Sequence, residues 1–323
     1  MHNQIFISGV WWSGAYYLAD IASINGYDLG RRLNSRNDNV FAWKTGPFYS
    51  MDGNASPGSL QDTLETKWPF DEISQEDSDS FRDRIVQARS PHGPEHNCCK
   101  LSTFCMMTPL ISRAFPTAPI INVIRNPVDI STYESDNYFL RLLMQDRAQR
   151  KSHTDDIDFV EAMGYLFDSI GDLRWKVKPT SETGWHVDTR VKPILWNLLY
   201  TLRWVMIQDR LNLDIQTHNI ENHHTIKFED IVQNDKGELE KLQDILAIPG
   251  KLKIRAPPLE DPLKMHREAY RYKATLLPAL ENKKLMGGTT NLLKAIYQIS
   301  KPYLERFEYK ETIEIFENLK AIK

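Results

Sequence analysis

Arg125 stands where a guanidinium can grip an anion. It directly follows the apolar run Ile120-Ile121-Asn122-Val123-Ile124, and Asn126-Pro127 turns the chain away after it. The run reads as a buried strand, so Arg125 emerges at that strand's carboxyl end. A guanidinium there can fork onto a phosphate through paired N–H donors, which no neutral side chain can do. The alternative is a structural ion pair with a carboxylate such as Asp129.

A second group with the same chemistry opens the chain. Gln4-Ile5-Phe6-Ile7-Ser8 is a β-like run that ends in a turn holding Gly9 and Gly14. Tyr17, Leu18, Ile21 and Ile24 follow at helical spacing, with Gly26 as stop signal. A strand, a glycine turn and a helix N-terminus make an anion site from backbone N–H groups and the helix dipole. Gly9 and Gly14 meet the glycine spacing of a Walker A loop, but Ala15 and Tyr16 replace its lysine and hydroxyl. The residues that would reach a terminal phosphate and hold Mg²⁺ are missing, which excludes an ordinary ATPase or kinase.

Composition narrows the partner. Across 323 residues, 40 basic and 43 acidic side chains give a net charge of −3, so any anion site is local and nucleic acid is not an expected partner. No apolar run approaches the length of a membrane span, and no charged and apolar leader precedes the first strand, so neither a span nor a secretory signal is expected. Cys98, Cys99 and Cys105 lack disulfide or Cys-x-x-Cys spacing and read as buried free thiols of a reducing cytoplasm. No ligand cluster for a metal is recognisable. His223-His224 alternates across a strand, so the pair cannot share a face as ligands.

The elements that must position these groups alternate along the chain. Strands are expected at the first run, at Cys98–Leu101, at Pro119–Ile124 and at His223–Phe228. Helices are expected near 75–89, over Phe104–Phe115 with Pro109 near the start, from Asp129 to about Arg150, and over Val191–Asn212. Three more are expected over Gly237–Ile248, Asn291–Glu308 and Glu311–Leu319. On the long helix Ile194, Leu195, Leu198, Leu199, Leu202, Val205 and Met206 form one side, and Trp196 and Trp204 read as core. Glu229-Asp230 reads as a cap for the helix after the last strand. Strand–helix alternation predicts an α/β fold, a mostly parallel sheet with helices on both faces and ligands beyond the carboxyl ends of the strands. We expect one domain over 1–323, with irregular segments 31–97 and 151–190, the latter an insertion or a lid.

Several segments together resemble the PAPS-dependent sulfotransferases. Ile124-Arg125-Asn126-Pro127-Val128-Asp129 is similar to that family's 3′-phosphate segment, I/V-R-D/N/H-P-x-D. Ile7-Ser8-Gly9-Val10-Trp11-Trp12-Ser13-Gly14 resembles its 5′-phosphosulfate loop, and Asn25-Gly26-Tyr27-Asp28-Leu29-Gly30 the end of the helix after it. Lys100 lies 25 residues before Arg125, where relatives carry K-[DE]-P-x-T, with Thr103 near the threonine. Ile226-Lys227-Phe228-Glu229-Asp230-Ile231 resembles R-[YF]-E-D-L. The order and spacing match across most of the chain.

The resemblance implies a P-loop-like, nucleotide-binding sulfotransferase architecture. It implies transfer of a sulfuryl group from PAPS (3′-phosphoadenosine 5′-phosphosulfate), without metal, to a hydroxyl or amine of a small-molecule or glycan acceptor read by 31–97 and 151–190. Trp12, Ser13, Gly14, Ala15 and Tyr16 would bind the 5′ end, and Arg125, Ser131 and Tyr133 the 3′-phosphate. The family's loop proline and cation are replaced by Trp11 and Trp12, its loop threonine by Ala15 and its serine after the arginine by Tyr133. The tryptophans could stack on a base, shape an acceptor pocket or pack in the core. Lys100, then Lys44, with Arg31 and Arg32, are candidates for the missing cation. His92, His96 and Asp52 are candidates for the general base, or plain loop residues. The alternative is a non-catalytic nucleotide-binding relative.

Overall fold

The computed structural model describes residues 4–10, 13–30, 73–89, 95–101, 104–105, 107–129, 177–179, 185–187, 192–254 and 290–319. They fall into two compact units, Met1–Arg125 with Asp209–Met265, and Asn126–Gln208 with His266–Lys323.

The first unit is built on strands β1 (Gln4–Ser8), β2 (Asn97–Lys100), β3 (Ile120–Ile124) and β6 (His223–Lys227). They pair in the order β2-β1-β3-β6, every pair parallel. β1, β2 and β3 are buried along their whole length. That is why β1 and β3 read as apolar runs and not as alternating strands, whereas β2 buries Asn97 and Lys100 at its two ends. From β1 the chain moves to β2 on one side, then back across to β3 and β6. The order therefore reverses at β1, and the crevice at β1's carboxyl end is where such sheets hold ligands.

Alternation along the strands sends side chains to two packed faces. Ile5, Ile7, Cys98, Ile121, Val123 and Ile226 join helix α1 (Ala15–Ile24) and Leu242 and Ile245 of α6 (Lys236–Ile245) in one cluster. Phe6 points the other way, its ring 6.3 Å from Phe81 of α2 (Gln75–Gln87), 5.6 Å from Phe104 and 5.1 Å from Phe115, which ends α3 (Thr108–Ala114). The fold is thus α/β, a parallel sheet with helices on both faces. The outer edge of β6 is closed by α6. Lys241 Nζ donates to the Thr225 carbonyl at 2.6 Å, and Glu238 Oε1 accepts from the Lys227 N–H at 3.3 Å. Pairing with the side chains of a helix is one way to blunt an exposed strand edge.

The second unit holds the antiparallel pair β4 (Val177–Pro179) and β5 (Trp185–Val187), the first part of α4 (Lys192–Thr217), α7 (Thr290–Arg306) and α8 (Lys310–Glu317). Trp204 is fully buried, 5.4 Å from the Tyr303 ring and 5.8 Å from the Phe307 ring, as a core tryptophan should be. Leu198 is buried too, whereas the side chains of Trp196, Ile194, Leu195, Leu199, Leu202 and Met206 lie outside the described residues.

Several element bounds differ from the sequence expectation. α3 starts at Thr108 and not Phe104, because Pro109 suits the first turn and lacks the N–H that an interior position needs. α4 runs on to Thr217, its extra turn supported by Arg210 Nε on Asp214 Oδ1 at 2.8 Å. α6 stops at Ile245, before Ala247 takes a positive φ of 48°. Glu229-Asp230 does not cap. The short helix α5 (Phe228–Val232) begins after Lys227 without a side-chain cap. The two carboxylates sit in its first turn, where the helix dipole favours them, and Asp230 Oδ2 pairs with Lys227 Nζ at 3.2 Å. The expected helix beyond Asp129 lies outside the described residues.

Candidate functional site

β1 delivers the chain to a turn with almost no spare room. A Cβ on Gly9 would run into the Ser13 hydroxyl and lie 2.5 Å from the Val123 carbonyl oxygen. The Ser13 N–H donates to the Val10 carbonyl at 2.9 Å, which closes the turn. Gly14 is the N-cap of α1 at φ +90°, a conformation that L side chains rarely adopt. Its carbonyl accepts the first helical bond, from the Tyr17 N–H at 2.9 Å.

No side chain caps α1. A helix leaves its first N–H groups without intrahelical partners, and its dipole adds partial positive charge there. The Ser13 hydroxyl lies beside this end, 1% exposed and without a hydrogen-bond partner. A buried hydroxyl in that state costs about 1–3 kcal/mol unless something pairs with it. Ala15 is buried, and Tyr16 is half-buried against the α1-side core.

The neighbouring strands bring cations to the same edge. Lys100 is the last residue of β2, in register with Ile7, and only 3% exposed. Arg125 follows β3 and is 1% exposed. Cys98 faces α1, so Lys100 two residues on does too. Val123 faces α1, so Arg125 does likewise. The parallel sheet thus places Lys100, the Ser13–Gly14 turn and Arg125 on one face at one edge. The Arg125 guanidinium carbon lies over the Phe228 ring, 4.9 Å from its centroid.

Cys98 shares the face with Lys100 but is no nucleophile. Burial above all, then the adjacent Cys99, pushes its thiol well up, against a smaller opposing pull from Lys100. All three cysteines are free and buried, as the spacing implied.

His96 is not brought to this edge. It precedes β2, at the opposite end from Lys100; its carbonyl accepts from the Asp28 N–H at 2.8 Å, and its ring lies 6.0 Å from Tyr27. His223 and His224, in register with Ile120 and Ile121, begin β6 at that same amino edge. Among the described residues no group of His, Cys, Asp and Glu could hold a metal ion, and no helix is long and apolar enough to cross a membrane. Trp11, Trp12, Arg31, Arg32, Lys44, Asp52, His92, Thr103, Ser131 and Tyr133 lie outside the described residues.

Phe228 does not stand out in the sequence as a site residue. Its signals there are an aromatic directly after the last strand and the aromatic position of the segment that resembles R-[YF]-E-D-L; its place beside Arg125 depends on sheet register.

No family model matches the chain, and no curated protein does. Among solved structures it is similar to sulfotransferase STF9 from Mycobacterium avium, at 12% identity and a TM-score of 0.42, covering 94% of this chain and 76% of that one. It is also similar to sulfotransferase STF1 from Mycobacterium tuberculosis H37Rv, at 11% identity and a TM-score of 0.36, covering 92% of this chain and 75% of that one.

Proposed function

We propose that the carboxyl edge of the sheet is a PAPS site and that the chain is a sulfotransferase-like enzyme acting on a hydroxyl or amine of a small-molecule or glycan acceptor. One observation carries this reading. The partnerless Ser13 hydroxyl, at the uncapped start of α1, shares an edge and a face with two buried cations. That donor set suits an anion with two separated charged groups, and the orphaned hydroxyl fits a phosphate or sulfate oxygen as its missing partner.

In this reading the backbone of Ser13, Gly14, Ala15 and Tyr16 holds the 5′ end, beside Trp12. Arg125, with Ser131 and Tyr133, holds the 3′-phosphate. PAPS supplies the sulfuryl group and leaves as the bisphosphate PAP. Lys100 is the cation that stabilises charge developing on the leaving oxygen, in place of the basic residue that the loop lacks. Such a preorganised contact is worth about 10²–10³ in rate. His92 is the histidine candidate for general base, with an unperturbed pKa suited to the task; His96 at the amino edge drops out. No divalent metal takes part, since the loop has Tyr16 where a Walker loop has the serine or threonine that holds Mg²⁺. EDTA should then leave nucleotide binding intact. Three buried free thiols support a reducing compartment, the cytoplasm.

The absence of a cation in the loop favours a second reading, a nucleotide-binding relative without turnover. Both predict selective binding, so thermal unfolding with PAP, ADP and ATP is the first experiment. PAP at about 100 times its Kd should add about 2.7 kcal/mol of stability. No shift with PAP, or an equal shift with ATP, would remove the PAPS reading. Sulfuryl transfer from PAPS to a panel of phenols, sugars and amines then separates enzyme from binder.

A further inference from the structure

We infer that Phe228 is a positioning residue of this site, whose ring sets the Arg125 guanidinium and the Gly14 turn at one spacing. The inference rests on the PAPS reading and adds a residue to it. Phe228 follows β6, is only 2% exposed and carries no hydrogen-bonding group that could hold a phosphate. It nevertheless meets both halves of the anion site. Arg125 Cζ lies 4.9 Å over its centroid. Two of its ring carbons, Cε2 and Cγ, lie 2.5 and 2.7 Å from where a Cβ on Gly14 would stand. The Tyr17 ring, in the first turn of α1, meets it edge-on at 6.2 Å and 83°.

The contact has a physical logic beyond packing. A buried guanidinium has lost water, and the negative face of an aromatic ring recovers part of that loss, more strongly when both are desolvated. A phenyl ring has no hydrogen-bonding group, so this contact itself takes up none of the guanidinium's N–H donors. The pairing is set by register. Ile124 lies opposite Lys227, so Arg125 and Phe228 leave adjacent strands together on the α1 face. A slip of one residue would send Phe228 to the other face. The start of α5 is held by the Lys227–Asp230 pair at 3.2 Å and by Glu238 on the Lys227 N–H.

A purely structural phenylalanine would tolerate another large apolar residue with little change in ligand preference. An aromatic that orients a cation would not. The test compares PAP with ADP, which lacks the 3′-phosphate, by calorimetry on the intact chain. Phe228→Leu should lower the PAP-to-ADP affinity ratio by about five- to tenfold, and Phe228→Tyr, which keeps the ring face, should hold it within about twofold. In parallel, urea unfolding of Phe228→Leu, Arg125→Met and the double variant should show non-additivity of about fivefold in the unfolding constant. A folded leucine variant with the parent's ratio, or an additive cycle, overturns the inference. If the parent itself binds PAP no better than ADP, the PAPS reading fails, and the unfolding cycle alone decides whether the ring holds the guanidinium. Should Phe228→Leu not fold, Phe228→Met takes its place in both measurements.

Discussion

At the amino edge of the sheet, several polar side chains pair with one another or with nearby carbonyls. Gln4 Nε2 donates to the Ile5 carbonyl at 3.0 Å, Asn97 Nδ2 to the Glu95 carbonyl at 2.9 Å, and Arg89 Nη2 to Gln4 Oε1 at 3.2 Å. Asn222 likewise donates to the Ala118 carbonyl. At the carboxyl edge the pattern changes. Lys100 and Arg125 are both more than nine-tenths buried, the Ser13 hydroxyl has no partner, and α1 begins without a side-chain cap. One edge closes the sheet; the other collects positive charge and an unmet donor. The carboxyl edge differs in combining the orphaned Ser13 hydroxyl with two buried cations, the combination on which the proposed anion site rests.

The contrast can be broken most sharply at Arg125. Arg125→Ala should lower PAP affinity by about 100-fold and ADP affinity by far less, since a charge-assisted bidentate contact to a phosphate is lost. Equal losses for both nucleotides would show that the arginine serves only the fold. Lys100→Met, in an active preparation, should lower kcat by about 10²-fold with a smaller change in KM, as for a contact made in the transition state. Turnover at the parent's rate would move the cation's role elsewhere.

Smaller effects sharpen the comparison. Gly14→Ala should cost about 1–3 kcal/mol in urea unfolding, because a methyl at φ +90° would also meet the Phe228 ring. This glycine is therefore needed for folding as much as for close approach of a ligand, and a bulky substitution there is no clean test of binding. Ser13→Ala separates the two. It should keep or slightly raise stability, because a partnerless buried hydroxyl is removed. PAP affinity should meanwhile fall about three- to tenfold. A stability loss without any change in affinity would mean that the hydroxyl serves the turn alone. His96→Ala, at the amino edge, is the control, and calorimetry should show PAP affinity within about twofold of the parent. A larger loss would mean that the two edges are not separate in function.

Much of this site is legible in the amino-acid sequence. The apolar runs ending at Ser8 and Ile124 mark the strands, because parallel strands buried on both faces leave no alternation to confuse. The glycine turn with an amphipathic segment after it marks α1, and Arg125 at a strand end is visible from its neighbours. Local signals suffice, since each depends on residues within a few positions of one another.

Strand order and register are decided only in the tertiary structure, because they join residues far apart in the chain. Lys100 faces the same side as Arg125 only because β2 and β3 flank β1 in parallel at the observed pairing. Phe228 reaches Arg125 and Gly14 from a strand that starts 98 positions after Arg125, at His223. His96 shows the converse. It is four positions from Lys100 in sequence, yet a strand rises about 3.3 Å per residue, which carries it to the opposite edge of the sheet.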